Sequence, residues 1–175
     1  MTDYSDIIER LEKADGPDLG LDAQVTAALN NTLLKPYPIT DDFGPKAKWQ
    51  FWSLDGKHFL GNESKFAVEP VTGSLDAVVA LCNRMIATEG RKMICFFCAG
   101  GQLTPYNADK GSPDYHPLAK LDNSVTAGWL AHVAFYQTDG TSAGPERYSH
   151  GRTAPLAILL AMFRALQAQE TASND

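Results

Sequence analysis

The chain holds 175 residues, one domain's worth. Its 44% hydrophobic and 21% charged composition is that of an ordinary globular protein, which excludes a fibrous or wholly disordered chain. Fifteen lysines and arginines against 21 aspartates and glutamates leave a net charge of −6, so the molecule repels phosphate backbones and general nucleic-acid binding is not expected.

Residues 5 to 13 read as a short helix, with Ser5 as its cap, Asp6 in the first turn, and Ile7, Ile8 and Leu11 on one face. Gly16-Pro17 breaks it. A second helix is predicted from Leu19 to Leu29, where Leu21, Val25, Ala28 and Leu29 recur at helical spacing before Asn30-Asn31. Lys35 to Pro45, with three prolines and a glycine, reads as a crossing loop.

Lys48 to Leu54 and Lys57 to Leu60 flank Asp55-Gly56, the strongest hairpin signal in the chain. Phe66 to Val71 reads as an edge strand around Pro70. Ser74 then caps a helix running to Thr88, with Leu75, Val78, Val79, Cys82, Met85 and Ile86 sharing a face, and Gly90 stops it. Arg91 to Ala99 carries Met93 to Cys98, apolar on both faces, which predicts the middle strand of the sheet.

Gly100 to Asn123 is a long polar excursion and a candidate functional loop. Gly128 to Gln137 reads as a strand and Asp139 to Gly151 as a glycine-rich loop. The last helix is predicted from Thr153 to Gln169: Leu156, Leu159, Leu160 and Phe163 form one face, and Ala157, Ala161, Ala165 and Ala168 form a small-residue stripe beside it. That stripe suggests cover by a second copy, a homodimer, or by the N-terminal helices of the same chain. The whole of 1–175 reads as one domain with frayed ends at 1–4 and 170–175.

The longest apolar run, Ala154 to Phe163, falls well short of the ~20 residues that cross a bilayer. The first six residues carry no basic or apolar leader, so the cytoplasm is the expected location. The odd set Cys82, Cys95 and Cys98 suits a reducing compartment without disulfides.

Three segments, Leu21 to Leu29, Gly73 to Leu81 and Thr153 to Leu166, resemble small bacteriophage proteins of the phage ABA sandwich domain family, through their Ser-Leu-Asp-Ala and Thr-Ala-Pro-Leu-Ala helix starts above all. The resemblance implies a three-layer α/β/α sandwich, an α/β fold around an antiparallel or mixed sheet of about four strands. It also implies a phage or prophage origin, hence the host-cell cytoplasm, and carries no catalytic residue. The excursion at 100–123 departs from the short pattern of that family.

Among chemical motifs, Cys95 and Cys98 have redox or zinc spacing, but an i, i+3 pair in a strand points to opposite faces, so buried thiols are expected. His58, His116, His132 and His150 show no metal-ligand spacing, and Asp109 and Asp114 beside Tyr115 and His116 read as a solvated loop. Ala99-Gly100-Gly101-Gln102 lacks the ending of a phosphate loop, and no Gly-x-Ser-x-Gly elbow exists. No metal, cofactor or catalytic group is therefore assigned.

The densest constellation is Arg147, Tyr148, Ser149, His150, Arg152 and Thr153, which delivers two guanidinium groups, an imidazole and three hydroxyls onto the start of the last helix. Free amides, the helix dipole and bidentate arginines there would favour a phosphate-bearing small molecule, with Tyr148 stacking on a base. The plain alternative is a Thr153 cap with solvated arginines. The first functional expectation is an accessory protein that acts by binding, its partner a host protein or a small anion. The second is a sponge for a nucleotide signal, and the third a small hydrolase or transferase using His116 or His150 as base.

Overall fold

The computed structural model describes residues 4–36, 48–89, 92–101, 128–136 and 147–172. Among these lie helices α1 (Ser5–Lys13), α2 (Leu19–Leu29), α3 (Glu63–Phe66), α4 (Leu75–Glu89) and α5 (Ala154–Ala172), and strands β1 (Leu33–Pro36), β2 (Trp49–Trp52), β3 (Phe59–Asn62), β4 (Lys92–Gly101), β5 (Gly128–Tyr136) and β6 (Arg147–Gly151). The fold is mixed α and β. In place of one sheet of about four strands, the strands form two antiparallel three-stranded sheets, β1-β2-β3 and β4-β5-β6.

Helix α5 is the centre of the molecule. Leu156 through Phe163 are all buried, and a helix apolar on every side must be covered on every side. The second sheet covers one side, and α1 and α4 approach from others: Phe163 meets the Tyr4 ring at 5.3 Å, and Met162 Sδ lies 3.8 Å from Cys82 Sγ. Burial pushes the Cys82 thiol up to about 12, so it is inert packing.

Ala157, Ala161 and Ala165 are completely buried inside this chain. The stripe is thus internal and carries no argument for a second copy. Its small side chains admit close backbone approach: a Cβ on Gly151 of β6 would lie 2.5 Å from the Ala157 nitrogen and 2.9 Å from its Cα.

Side-chain hydrogen bonds dock the N-terminal elements. Arg164 of α5 donates to Glu12 of α1 at 2.6 Å, and Gln167 donates to Ser5 at 2.9 Å. Ser5 therefore serves α5 rather than capping α1, whose N-cap position is Tyr4 without a side-chain bond. Asp18 caps α2, accepting from the Gly20 and Leu21 amides at 2.8 and 3.0 Å. Asp22 is buried and accepts the Thr72 amide at 2.8 Å, while the Asp18 amide donates to Thr72 Oγ1 at 2.9 Å, which fastens the 67–74 connection onto α2.

The predicted helices and the hairpin stand where the pattern put them. Ser74 accepts the Ala77 amide at 3.2 Å as the cap of α4, and Thr153 caps α5. At the hairpin, Gly56 takes φ +69°, and the Asp55 carboxylate accepts the Lys57 amide at 3.0 Å. Four expectations are corrected. Phe66 to Val71 is no edge strand: Asn62 caps the short α3, whose C-cap Ala67 turns the chain away at φ 47°. Lys35 and Pro36 end strand β1 instead of opening a loop. Arg147 to Gly151 is strand, not loop. And among the described strands β5, not β4, is the middle one, because β5 pairs with both β4 and β6; hydrophobicity reports on faces and not on which edges are paired.

Candidate functional site

The constellation predicted around the last helix lies on β6 and the turn into α5. Antiparallel pairing sets Arg147 opposite Val133, Tyr148 opposite His132, Ser149 opposite Ala131 and His150 opposite Leu130. Ala131 and Val133 belong to the core with α5, so Arg147 and Ser149 take the helix side of the sheet and His150 the other. Strand geometry thereby divides what the sequence offered as one cradle.

Ser149 is buried and already engaged, its Oγ accepting from Arg164 Nη1 at 3.0 Å while Nη2 of the same guanidinium binds Glu12. The helix start is equally occupied. The Leu156 amide donates to Thr153 Oγ1 at 3.4 Å, the Ala157 amide to the Thr153 carbonyl at 3.1 Å, and Pro155 has no N–H, which leaves at most the Ala154 amide for an anion. Arg152 is exposed in the turn. Burial first, and then the Arg164 charge, lower His150 from its ordinary value, which disfavours the charged form that would help to hold an anion.

The other candidates scatter. His58 sits exposed in the β2–β3 turn, and His132 is half-buried on β5. Cys95 and Cys98 lie on β4 in register with Ala134 and Ala131, and Gly100 and Gly101 pair with Trp129 and Gly128 as ladder residues rather than as a phosphate loop. Asp109, Asp114, Tyr115 and His116, with most of the 100–123 excursion, fall outside the described residues. Among the described residues no group of three or more His, Cys, Asp or Glu side chains could hold a metal.

An open surface lies instead on the first sheet. Phe51 points inward, fully buried and stacked on Phe66 at 4.2 Å between centroids. By alternation its neighbour Trp52 faces outward, in register with Leu33 on β1 and Phe59 on β3. Leu33 is 39% exposed and Phe59 53%, so an apolar row crosses all three strands, and Leu54 in the adjoining turn is 62% exposed. Trp52 and Phe59 meet edge to face at 5.7 Å, and Lys35 Nζ stands 4.3 Å over the Trp52 ring. Trp52 Nε1 donates to Gln50 at 3.0 Å, which fixes the indole.

No known family, curated protein or solved structure matches the chain. The open face was readable in principle: Trp49-Gln50-Phe51-Trp52 is apolar at both parities, and a short hairpin strand can bury only one of them. Arg164 also had a signal, as the one charge inside an apolar helical run.

Proposed function

We propose that this protein acts by binding another protein, with the row Leu33, Trp52 and Phe59 of the first sheet and the adjoining Leu54 as its contact surface. The observation that carries the reading is that Leu33, Trp52 and Phe59 lie in one row, with Leu54 exposed in the adjoining turn, on a sheet whose opposite face already holds the contact of Phe51 with Phe66. Aromatic anchors held in fixed geometry are the usual centre of a protein interface, because they bury much area at little entropic cost. The binding role agrees with the accessory function expected from the sequence, and the resemblance to phage ABA sandwich proteins adds a phage or prophage origin to the proposal. In the same proposal belong the third, helical layer of that fold and the host cytoplasm as its place of action. No helix among the described residues is long and apolar enough to cross a membrane.

The test is affinity capture from cell extract with wild type, Phe59→Ser and Arg152→Ala, each checked for native circular dichroism. A protein retained by wild type and Arg152→Ala but lost from Phe59→Ser is the expected result. Retention by all three removes this face as the contact surface, and loss from Arg152→Ala alone moves the function to the β6–α5 turn.

A further inference from the structure

We infer that the occupant of this open face is an acidic segment of a partner protein, in which apolar side chains alternate with Asp and Glu. The inference rests on the proposed binding role and supplies its chemistry.

Charge distribution is the first ground. From residue 33 to residue 66 the chain carries five lysines against four carboxylates, although the whole chain runs to −6, so the acid excess lies elsewhere. The described carboxylates of this region are turned to its own backbone: Asp55 accepts the Lys57 amide and the Ser53 hydroxyl, and Glu63 accepts the Lys48 amide at 2.8 Å. The lysines are freer to meet a partner. Lys57 is 77% exposed and pairs with Asp55 only at the long distance of 4.0 Å, and Lys35 lies along the Trp52 ring with a long 3.4 Å bond to the Gly56 carbonyl. The face therefore presents an apolar centre with ammonium groups beside it, and the complementary surface is apolar with carboxylates beside it.

Two other occupants fit less well. A second copy docking face to face would set Lys35 and Lys57 against their own equivalents, with both acids already committed to turns. A single-stranded nucleic acid stacks on open ring faces, but Lys35 covers one face of Trp52, and Leu33 and Leu54 offer no plane to stack on. Apolar side chains of a peptide can cover Leu33, Phe59 and Leu54 together while its carboxylates reach the lysines.

The experiment selects a random 15-residue peptide display library on the full chain, with counter-selection on Phe59→Ser. The enriched peptides are then titrated against wild type, Phe59→Ser, Leu54→Ser and Lys35→Glu, with a 15-nucleotide oligothymidine as competitor. We expect enriched peptides rich in Asp, Glu and large apolar residues, about tenfold weaker binding to Phe59→Ser and Lys35→Glu, and several-fold weakening between low and high salt. Enrichment of neutral or basic peptides that still depend on Phe59 and Leu54 would overturn the acidic partner and leave the binding face standing. Peptides that bind all four proteins alike would overturn both. Displacement of the peptides by oligothymidine, or a wild-type dimer in sedimentation that Phe59→Ser dissociates, would replace the acidic segment with nucleic acid or a second copy.

Discussion

The β6–α5 junction and the open face of the first sheet carry charge and apolar surface in opposite ways. At the junction, polar groups that look available in the sequence are spent inside the molecule: Ser149 on Arg164, Arg164 on Glu12, the helix amides on Thr153. On the first sheet, aromatic residues that look like core are half outside, and Lys35 leans over the Trp52 ring. A dense polar motif thus marks a seam holding three elements together, while a plain hairpin holds the contact surface. Interior seams resist substitution and surfaces tolerate it, so the two regions separate under mutation.

The largest effect is expected at the seam. Gly151→Ala places a Cβ against the backbone of Ala157, which cannot move aside as a side chain would, and should cost about 3 kcal/mol or prevent folding, read by urea denaturation. A loss under 1 kcal/mol would show that β6 and α5 are not in such close contact. Gly56→Ala at the hairpin, strained only by its positive φ, should cost about 1 kcal/mol.

Next comes Asp22. Its removal in Asp22→Ala leaves the buried Thr72 amide without its acceptor, at about 2 kcal/mol. Burial, stronger here than the Thr72 bonds that oppose it, raises the Asp22 carboxyl above its ordinary value. The folded chain then holds that proton more tightly than the unfolded one. The resulting stability is present below the ordinary carboxylate range and is lost as pH rises through the raised value. Asp22→Asn keeps an acceptor and sheds the charge, so its stability relative to wild type should climb in denaturant melts as pH rises above the ordinary carboxylate range. A pH-independent difference would mean that Asp22 is not paying for its burial.

Smaller still is Arg164→Ala, expected at about 1 kcal/mol because its Glu12 bond is part-exposed and screened. Loosening of α1, seen as faster amide exchange at Ile7 and Leu11, should accompany it. Arg152→Ala at the same junction should be silent in stability, and calorimetry with a panel of nucleotides should give the same heats as wild type. A nucleotide bound by wild type and lost from Arg152→Ala would restore the anion site that the occupied amides argue against. Phe59→Ser on the open face should also stay within about 0.5 kcal/mol in stability whatever it does to binding. A larger cost would show that Phe59 holds the sheet together and is no free anchor.

Much of the fold was written locally. Helices α2, α4 and α5 announce themselves by caps and spacing, Ser74 and Thr153 cap where expected, and Asp55-Gly56 makes the turn it promises. What escaped was set at a distance. Arg-Tyr-Ser-His-Gly has no strand alternation of its own and becomes β6 only because β5 offers it a ladder. The order of β4 and β5 depends on pairing partners rather than on hydrophobicity. The candidate site failed for the same reason: nothing near position 149 tells that a guanidinium fifteen residues on will claim its hydroxyl.

The bonds from Gln167 to Ser5 and from Arg164 to Glu12 join residues separated by 162 and 152 positions. While the chain is being synthesised, α1 can meet α2 but lacks its bonds to α5 until the end of the chain has emerged, whereas the β2–β3 hairpin closes over six residues. A growing chain therefore displays Trp52 and Phe59 long before it owns a core. Any protein that fits those side chains has a chance to meet them on the ribosome.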